Sequence, residues 1–429
     1  STDKKWLLPH FEKMLYDQAL MMIAYTEGWQ VTGNPLFKQT VFEIADYVSN
    51  NLSHKNGSFF SAEDADSDGE EGKFYVWETD EIDKILSNEE SDFFKTTFNM
   101  LHEGNFEDEA TKQLTGKNIP FLTDVLTDAK SAQFDAIREK LLIERNKRNH
   151  PLLDDKILTD WNALMIVALA KAGSVFDEKV FTNKAKNAFD FIEEHLISEE
   201  QLFHRYKEQE SSINAFADDY SFLIWAAIEL YEATFEVNYL KKAISLSEQF
   251  VEKFWDSKDG AFYLSDKNSE ELLGKQKQIY DGAIPSSNSV AMLSFIKLSR
   301  ITGDTKFEEY ANSIGEYFST DLIRSGSSIT FGLQAVQFIN NQPKEIVIVD
   351  CKNLSPEITS KISSVFSPFK VCLFKHSIKK ELEEVSNFTS DLHIINESTT
   401  FYCCTDFTCE KPFNDIVELM NILNSNSLA

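Results

Sequence analysis

The sequence predicts a mainly α-helical protein, an α/α toroid of stacked helical hairpins with a small α/β appendage at its C-terminal end. Three features predict this fold: repeated apolar helical segments, the amphipathic helices that follow them, and a late change to short β-rich runs. The apolar segments lie in PHFEKMLYDQALMMIAY from Pro9, KILTDWNALMIVALAKAG from Lys156, FADDYSFLIWAAIELYEAT from Phe216 and DGAIPSSNSVAMLSFIKL from Asp281.

Each apolar segment begins with a cluster of acids, amides and aromatic residues. Buried polar groups must find hydrogen-bond partners or solvent. Helix capping accounts for a single Asp or Ser, but clusters that also hold Trp, Tyr, His and Asn exceed what capping requires. The nearly uniform apolarity of LMIVALA and LIWAAIEL predicts helices that are covered on all sides, as in the inner wall of a ring. The polar clusters would then surround a central pocket.

The second helix of each hairpin is predicted from TGNPLFKQTVFEIADYV, FEVNYLKKAISLSEQFV and TGDTKFEEYANSIGEYF, which begin at Thr32, Phe235 and Thr302. Aromatic residues at equivalent places precede small or β-branched residues by four positions, the spacing of one buried helix face. These pairs are Phe37 and Val41, Tyr239 and Ala243, and Phe307 and Ala311. The endings NGSFF from Asn56 and DGAFY from Asp259 predict a turn and a short extended run after the hairpin.

The C-terminal appendage is predicted where the pattern changes after about Gln342. Short β-rich runs follow, separated by polar stretches, before a final helix around DIVELMNIL. The runs are EIVIVD from Glu345, KVCLFK from Lys370 and LHII from Leu392. We therefore predict two domains, a toroid over residues 1–342 and an α/β appendage over residues 343–429.

The net charge of the chain limits the classes of partner that we expect it to bind. Lys and Arg total 42 and Asp and Glu total 70, a formal net charge of −28. Phosphate backbones would be repelled, so we expect no nucleic-acid partner. No apolar run reaches the roughly 18 residues that span a bilayer, and no signal-peptide pattern is found. We expect a soluble, cytoplasmic protein without a membrane partner.

Several long motifs resemble the spermatogenesis-associated protein 20 family, the YyaL-like proteins that contain a thioredoxin-like domain. They are PHFEKMLYDQ from Pro9, SAEDADSDGEEGKFYVW from Ser61, RNKRNHPLLDDKILTDWNALM from Arg145, FADDY from Phe216, DGAIPSSNS from Asp281 and FYCCTDFTCEKP from Phe401. The resemblance implies a toroid similar to the six-hairpin glycosidases and the N-acylglucosamine 2-epimerases, with a thioredoxin-like domain in the intact family protein. It also implies that this chain starts inside the family pattern, so that the toroid is incomplete.

Acid–base chemistry on a sugar needs groups that hold and deliver protons, with aromatic faces against the ring. The candidate catalytic residues are Asp219, Asp64, Asp66 and His10. For Asp218 and Asp219 the alternative is that one caps the helix and the other binds a neighbouring backbone. For Asp64 and Asp66 it is an acidic surface loop, and for His10 it is a structural role at a helix start.

The candidate substrate-binding residues extend this set. Asp160, Trp161 and Asn162 combine an aromatic face with groups that bind hydroxyls, although Trp161 alone would also fit a core position. The further candidates are Glu12, Asp218, Tyr220, Asp281, Ser286 and Asn288. Epimerases of this fold use two histidines, and His204 in LFHRYK is the one tolerable second histidine, in a predicted turn between helices.

No cofactor and no metal are predicted. The run EDADSDGEEG from Glu63 lacks the complete EF-hand spacing. The five cysteines form no C-x-x-C motif, and their odd number predicts reduced thiols, although Cys404 and Cys409 match a cysteine pair in the family's C-terminal motif.

The leading functional hypothesis is a carbohydrate-active or sugar-binding toroid, with glycosidase-like or epimerase-like proton chemistry if it is catalytic. The alternative is a non-enzymatic scaffold that presents a partner or client to a thioredoxin-like domain. A third hypothesis is a degenerate enzyme that still binds sugar. Polar residues in a cavity serve binding as well as catalysis, so the sequence does not separate the three.

Overall fold

The structure is a computed structural model that describes residues 1–107, 113–126, 128–199, 201–269 and 274–425. Its helices are α1 Leu15–Thr32, α2 Pro35–Asn51, α3 Thr79–Ile85, α4 Asn88–Thr97, α5 Asp128–Arg145, α6 Thr159–Val175, α7 Lys179–His195, α8 Ala217–Thr234, α9 Val237–Phe254, α10 Ser287–Thr302, α11 Thr305–Tyr317, α12 Ser319–Arg324, α13 Thr330–Asn340, α14 Pro356–Ser364 and α15 Ile416–Ser425.

The strands are short. They are β1 Lys13–Met14, β2 Ala62–Glu63, β3 Asp66–Ser67, β4 Glu70–Glu71, β5 Trp77–Glu78, β6 Lys117–Asn118, β7 Leu153–Asp154, β8 Ile157–Leu158, β9 Ile197–Ser198, β10 Gln201–Lys207, β11 Glu210–Asn214, β12 Lys344–Asp350, β13 Lys370–His376, β14 Thr400–Thr405 and β15 Thr408–Cys409.

The chain divides into two compact units. The first unit comprises Ser1–Met14 and Ala62–Asp154, and the second comprises Leu15–Ser61 and Asp155–Ala429. The predicted boundary between residues 342 and 343 is of a different kind, since it separates helices from a sheet inside the second unit, and it stays a prediction.

The first unit combines three helices with small sheets. Strands β1, β2 and β7 form one sheet in which β2 is central, and β5 pairs with β6. A core packs α3, α4 and α5 around Phe94, Phe98 and Ile137, and all three side chains are buried. Aromatic stacking between Phe94 and Phe98, with ring centroids 4.7 Å apart, adds to this packing.

The helices of the second unit form two layers. Hairpin partners pack together as α1 with α2, α6 with α7, α8 with α9, and α10 with α11. The first helices of the hairpins also contact one another in the sequence α1, α6, α8, α10 and α13. Residues 162–170 of α6 and residues 219–231 of α8 are buried throughout. A row of covered inner helices with amphipathic outer helices is the arrangement of an α/α toroid, which confirms the predicted fold class.

The predicted buried face of the outer helices is confirmed except at Phe37, which is only half-buried. Val41, Ala243 and Ala311 have no exposed surface, and Tyr239 and Phe307 are buried beside them. The first helix, however, begins later than predicted. Residues 9–12 are not helical and Lys13 and Met14 pair with β2, so α1 starts at Leu15.

The predicted α/β segment forms a four-stranded sheet in the order β13, β12, β14, β15. Strands β12 and β13 are parallel, whereas β14 is antiparallel to β12. The predicted strand at Leu392 is wrong, because the third strand is β14, which starts at Thr400. The prediction of reduced thiols is also wrong for one pair, since Cys404 and Cys409 are opposite each other on β14 and β15 and form a disulfide.

Among the described residues, no helix combines the length and the apolar character needed to cross a membrane.

Candidate acid–base site

A buried carboxylate, Asp219, joins the starts of two inner helices. It lies in the first turn of α8 and has no exposed surface. Its Oδ2 accepts a hydrogen bond of 2.8 Å from the backbone N–H of Phe216, and its Oδ1 accepts one of 3.0 Å from the backbone N–H of Asp160 in α6. Two backbone donors therefore hold this carboxylate in one orientation.

The third partner of Asp219 is His204, whose Nδ1 lies 3.0 Å from Oδ1 and 3.1 Å from Oδ2. Burial lowers the pKa of His204, but the hydrogen bond to Asp219 and the charges of the nearby aspartates outweigh it and raise the pKa. Nδ1 therefore carries a proton, which it donates to Asp219. The ring packs edge-on against Phe216 at 5.3 Å, and the side chain is 20% exposed.

His204 lies in strand β10 and not in the predicted turn between helices. Strand β10 pairs with β8, directly before α6, and with β11, which precedes α8. These pairings bring the imidazole to the starts of both inner helices. Sequence reasoning left His204 out of the candidate catalytic set because its partner is 15 positions away and on another element.

Asp160 is the second buried acid of the cluster. Burial, together with the negative charge of Asp219, raises the pKa of Asp160 well above its ordinary value and favours the neutral acid. Its Oδ1 accepts a hydrogen bond of 2.8 Å from the backbone N–H of Trp161. A carboxylic acid beside a carboxylate and an imidazolium can keep the three groups in different protonation states.

Asp218 is half-buried beside Asp219 and reaches a third inner helix. Burial raises its pKa to about 6, hydrogen bonds from Ser287 at the start of α10 oppose the shift, and the charge of Asp219 adds to it. A carboxyl group with this pKa is poised to give or take a proton near neutral pH.

Asp160, His204 and Asp219 could also hold a metal ion, since one ligand atom of each lies within 4.8 Å of the others. A metal needs an unprotonated imidazole nitrogen, but the contact between His204 and Asp219 favours the proton. Both oxygens of Asp219 already accept backbone hydrogen bonds. The donor set therefore fits proton transfer better than metal binding.

Trp161 follows Asp160 on the first turn of α6 and is half-buried. Its ring packs against Tyr16 in an edge-on contact, with ring centroids 4.8 Å apart. The indole thus has a fixed neighbour and keeps part of its surface accessible, which is what a stacking platform requires.

Asn162 and Asn288 use their amides on the backbone. Asn162 accepts a hydrogen bond from the N–H of Phe59 and donates to the carbonyls of Phe59 and Leu158. Asn288 does the same with Phe262 and also donates to Gln278. Both asparagines lack exposed surface, so they tie each inner helix to the extended run before it, and we leave them out of the proposed site.

The remaining candidates of the second unit also have structural partners. The carboxylate of Asp281 accepts backbone hydrogen bonds from Ser286 and from Phe331 and Gly332 in α13. Ser286 caps α10. Tyr220 has no exposed surface and its ring stacks on Phe250 at 5.8 Å. Their positions suit them to anchoring helices rather than to binding a ligand.

His10, Glu12, Asp64 and Asp66 belong to the first unit, and all four are exposed. His10 precedes β1 instead of starting a helix, and its Nδ1 lies 4.0 Å from Oε1 of Glu71. The carboxylate of Asp64 accepts a hydrogen bond from the backbone N–H of Asp66. Their predicted catalytic and binding roles stay predictions.

The first unit holds a polar group that sequence reasoning missed. Lys13 lies opposite Glu63 on β1 and β2, and its Nζ lies 3.3 Å from the centre of the Tyr75 ring. Burial lowers the pKa of Lys13 to about 8, although the charge of Glu63 opposes the shift. The hydroxyl of Tyr75 donates to Glu63 at 3.3 Å. The available signal was the position of Lys13 and Glu63 inside the two long motifs.

No family model matches the chain. Human spermatogenesis-associated protein 20 is 28% identical to it over 466 residues, which cover 99% of this chain and 59% of the human protein. This chain is a homologue of spermatogenesis-associated protein 20. The protein of that name from Rattus norvegicus is 28% identical over 467 residues, again 59% of its length. The chain thus spans under two thirds of the spermatogenesis-associated protein 20 sequences that it matches.

Solved structures give weaker similarities. A family 76 α-mannanase from Bacteroides thetaiotaomicron matches with a TM-score of 0.40 and 12% identity, over 77% of this chain and 75% of its own. A cellobiose 2-epimerase from Spirochaeta thermophila matches with a TM-score of 0.40 and 10% identity, over 78% and 88% of the two chains. Both TM-scores lie below 0.5, so neither similarity transfers an activity to this chain.

Proposed function

We propose that the second unit binds carbohydrate and performs acid–base chemistry on it, of the kind used by glycosidases or sugar epimerases. The observation that carries the proposal is the contact between His204 and Asp219 beside Asp160 and Asp218. Four titratable groups with different environments meet where three inner helices begin, and such separation of pKa values is typical of acid–base sites.

The roles follow from accessibility. Asp219 is fully buried and bound by backbone donors, so it positions His204 and stabilises the imidazolium. Among the described residues, Nε2 of His204 has no hydrogen-bond partner, and the side chain keeps some exposure, so it is the proton-transferring atom. Asp218 is the second transferring group, because its pKa of about 6 allows both protonation states near neutral pH. Trp161 supplies the apolar face that a pyranose ring needs.

A thermal-shift screen of monosaccharides and oligosaccharides tests the proposed function, because a ligand that binds only the folded state raises the apparent stability. Trp161→Ala should abolish the response to the sugar that stabilises the protein. Trp29→Ala is the matched control. Trp29 lies near the end of α1, whereas Tyr16, the neighbour of Trp161, lies at its start, and Trp29 packs on Phe176. A panel without any response, or a response unchanged in Trp161→Ala, would reject the carbohydrate proposal.

A second candidate function is a non-enzymatic scaffold that serves a thioredoxin-like domain. One observation favours it: the polar side chains of Asn162, Asp281 and Asn288 all bind backbone groups, so much of the polarity at the helix starts holds the fold together. If the chain is such a scaffold, Asp218→Asn and His204→Gln should bind the thioredoxin-like domain as the wild type does. A pull-down with the intact protein measures this binding. Loss of partner binding in either variant would count against the scaffold.

A further inference from the structure

A small cavity in the second unit lies outside the acid–base site and has an unusual lining. It has a volume of about 330 Å³ and lies between the turn over residues 53–57 and the outer helix α7. Its basic side chains are His54 and Lys55 from the turn and Lys184 from the helix. None of the described residues that line it is acidic, although the chain carries a net charge of −28.

The two lysines are not neutralised by the protein. Among the described residues, neither Lys55 nor Lys184 has an ion-pair partner, whereas Lys186 on the same helix binds Glu236 at 2.7 Å. Burial lowers the pKa of His54, and its basic neighbours Lys55 and His195 lower this pKa further. The cavity is therefore lined by two lysines that have no ion-pair partner among the described residues, although the chain is acidic.

Several side chains that line this cavity carry hydrogen-bond donors. Nδ1 of His54 accepts a weak hydrogen bond from the backbone N–H of Asn56 at 3.4 Å, so Nε2 carries the proton, and it has no acceptor in the part of the chain that the structure describes. The ring is held edge-on between Phe60 and Phe191. With the ammonium groups of both lysines and the amide of Asn187, the cavity presents donors without a matching carboxylate.

A second turn in the same chain shows that this kind of turn does not require a histidine in the place of His54. Asp256 occupies the place of His54, because its N–H binds the Ala261 carbonyl as that of His54 binds Ser58. Gly57 and Gly260 both have positive φ and pass close to an outer helix, at Asn187 and Ser313. The second turn carries Asp256, Lys258 and Asp259, so it keeps a lysine but has an acid in the place of His54. The turn geometry is thus satisfied without a histidine, so His54 is not a packing requirement.

We propose that this cavity binds a small oxyanion of the phosphate class, as free phosphate or as the phosphate group of a phosphorylated metabolite. Lys55 and Lys184 would bind the charge, and His54 Nε2 and the amide of Asn187 would donate to the remaining oxygens. The volume is at the lower end of the range for small-ligand cavities. The site is independent of the proposed sugar chemistry, since it shares no residue with the acid–base site.

Isothermal titration calorimetry with inorganic phosphate, glucose 6-phosphate and glucose, in chloride buffers of equal ionic strength, tests the site. We expect both phosphate probes to bind, with an affinity at least about tenfold lower in Lys184→Gln and in Lys55→Gln, because each loses a charge-assisted contact. Tighter binding of glucose 6-phosphate than of phosphate would identify an organic phosphate as the ligand, and the reverse order would identify the free ion.

Lys186→Gln is the matched control, since Lys186 lies on α7 outside this cavity, and it should bind like the wild type. Lys55 is exposed, so Lys55→Gln should fold normally and keeps the test valid if Lys184→Gln does not. Absence of binding by both phosphate probes, or equal affinity in the wild type and Lys55→Gln, would overturn the proposal.

Discussion

Nδ1 of His204 lies 3.0 Å from Oδ1 of Asp219, a carboxylate without exposed surface whose two oxygens also accept backbone hydrogen bonds. The contact links a strand to two inner helices of the toroid. It fixes the proton on Nδ1 and leaves Nε2 directed away from the carboxylate. The acid–base site is organised around this pair, because the neighbouring Asp160 and Asp218 take their shifted pKa values partly from the charge of Asp219.

The pKa of His204 should lie above the ordinary value of about 6.5 and should fall in Asp219→Asn. Because the folded-state pKa is raised, His204 stabilises the fold fully below the unfolded value, and this contribution is lost as pH rises through the folded value. NMR titration of the imidazole measures the pKa directly. His54→Gln serves as a spectral control, and an unchanged pKa in Asp219→Asn would contradict the assigned contact.

Asp218 changes the stability with pH in the same direction as His204, since its pKa is raised to about 6 by burial and by the charge of Asp219. Between about pH 4 and pH 6 the unfolded chain loses this proton before the folded protein does, so stability falls as pH rises across this window. Urea denaturation at pH 4, 5 and 6 measures this slope. The free energy of unfolding of Asp218→Asn should decrease less steeply with rising pH than that of the wild type. Asp46→Asn, at an exposed position of α2, should keep the wild-type slope; equal slopes for all three proteins would exclude the raised pKa.

The inner helices could be predicted from sequence. For the polar residues at their starts, the sequence predicted the positions but not the contacts. Unbroken apolar runs such as residues 162–170 identify α6 because few other structures bury a helix on all sides. The acids Asp160, Asp218 and Asp219 stood out because they interrupt that apolarity. The beginning of α1 could not be predicted, since Lys13 and Met14 pair with β2, which is about 50 positions away.

The division of labour among the polar residues depends on distant partners. Asn162 looked like a ligand-binding amide, but Phe59 supplies a backbone N–H and a carbonyl that satisfy it. His204 looked isolated, but β10 brings it to Asp219. Both outcomes depend on tertiary contacts that local spacing does not encode. The sequence therefore predicted where polar residues gather, but not which of them hold the fold and which belong to the acid–base site.

Asn162→Ala should destabilise the protein by about 2–4 kcal/mol, because it leaves buried backbone groups of Phe59 and Leu158 without partners. Asn288→Ala should have a similar effect through Phe262. Urea denaturation followed by circular dichroism measures both. Asn341→Ala is the control, since this exposed amide only donates to Gln337. A loss below about 1 kcal/mol in both test variants would mean that the asparagines do not hold the hairpins together.

A charged network joins three inner helices at their other ends. Lys297 of α10 lies 3.2 Å from Glu229 and 3.1 Å from Glu232 of α8, and Glu229 is buried. Burial raises the pKa of Glu229, but the charges of Lys297 and of Lys171 in α6 outweigh this effect and lower the pKa to about 2. Lys297→Met should therefore cost about 3–5 kcal/mol, because it leaves a buried carboxylate without its main counter-charge.

Lys241→Met is the matched control for this network. Lys241 pairs with Glu384 at 2.7 Å, and both side chains are largely exposed, so the change should cost no more than about 1 kcal/mol. Thermal and urea denaturation of the two variants give the comparison. Similar losses in both would show that burial adds nothing to the strength of the Lys297 contacts.

The most direct test of the proposed chemistry follows a sugar identified by the thermal-shift screen, with the protein in D2O, by proton NMR. The wild type should cleave a glycosidic bond or exchange a carbon-bound proton for deuterium. Asp218→Asn and His204→Gln should each slow that reaction by about a hundredfold or more, the usual contribution of a proton-transferring group. A sugar that stays unchanged with stoichiometric wild-type protein, or a rate that neither substitution lowers, would contradict acid–base catalysis at this site.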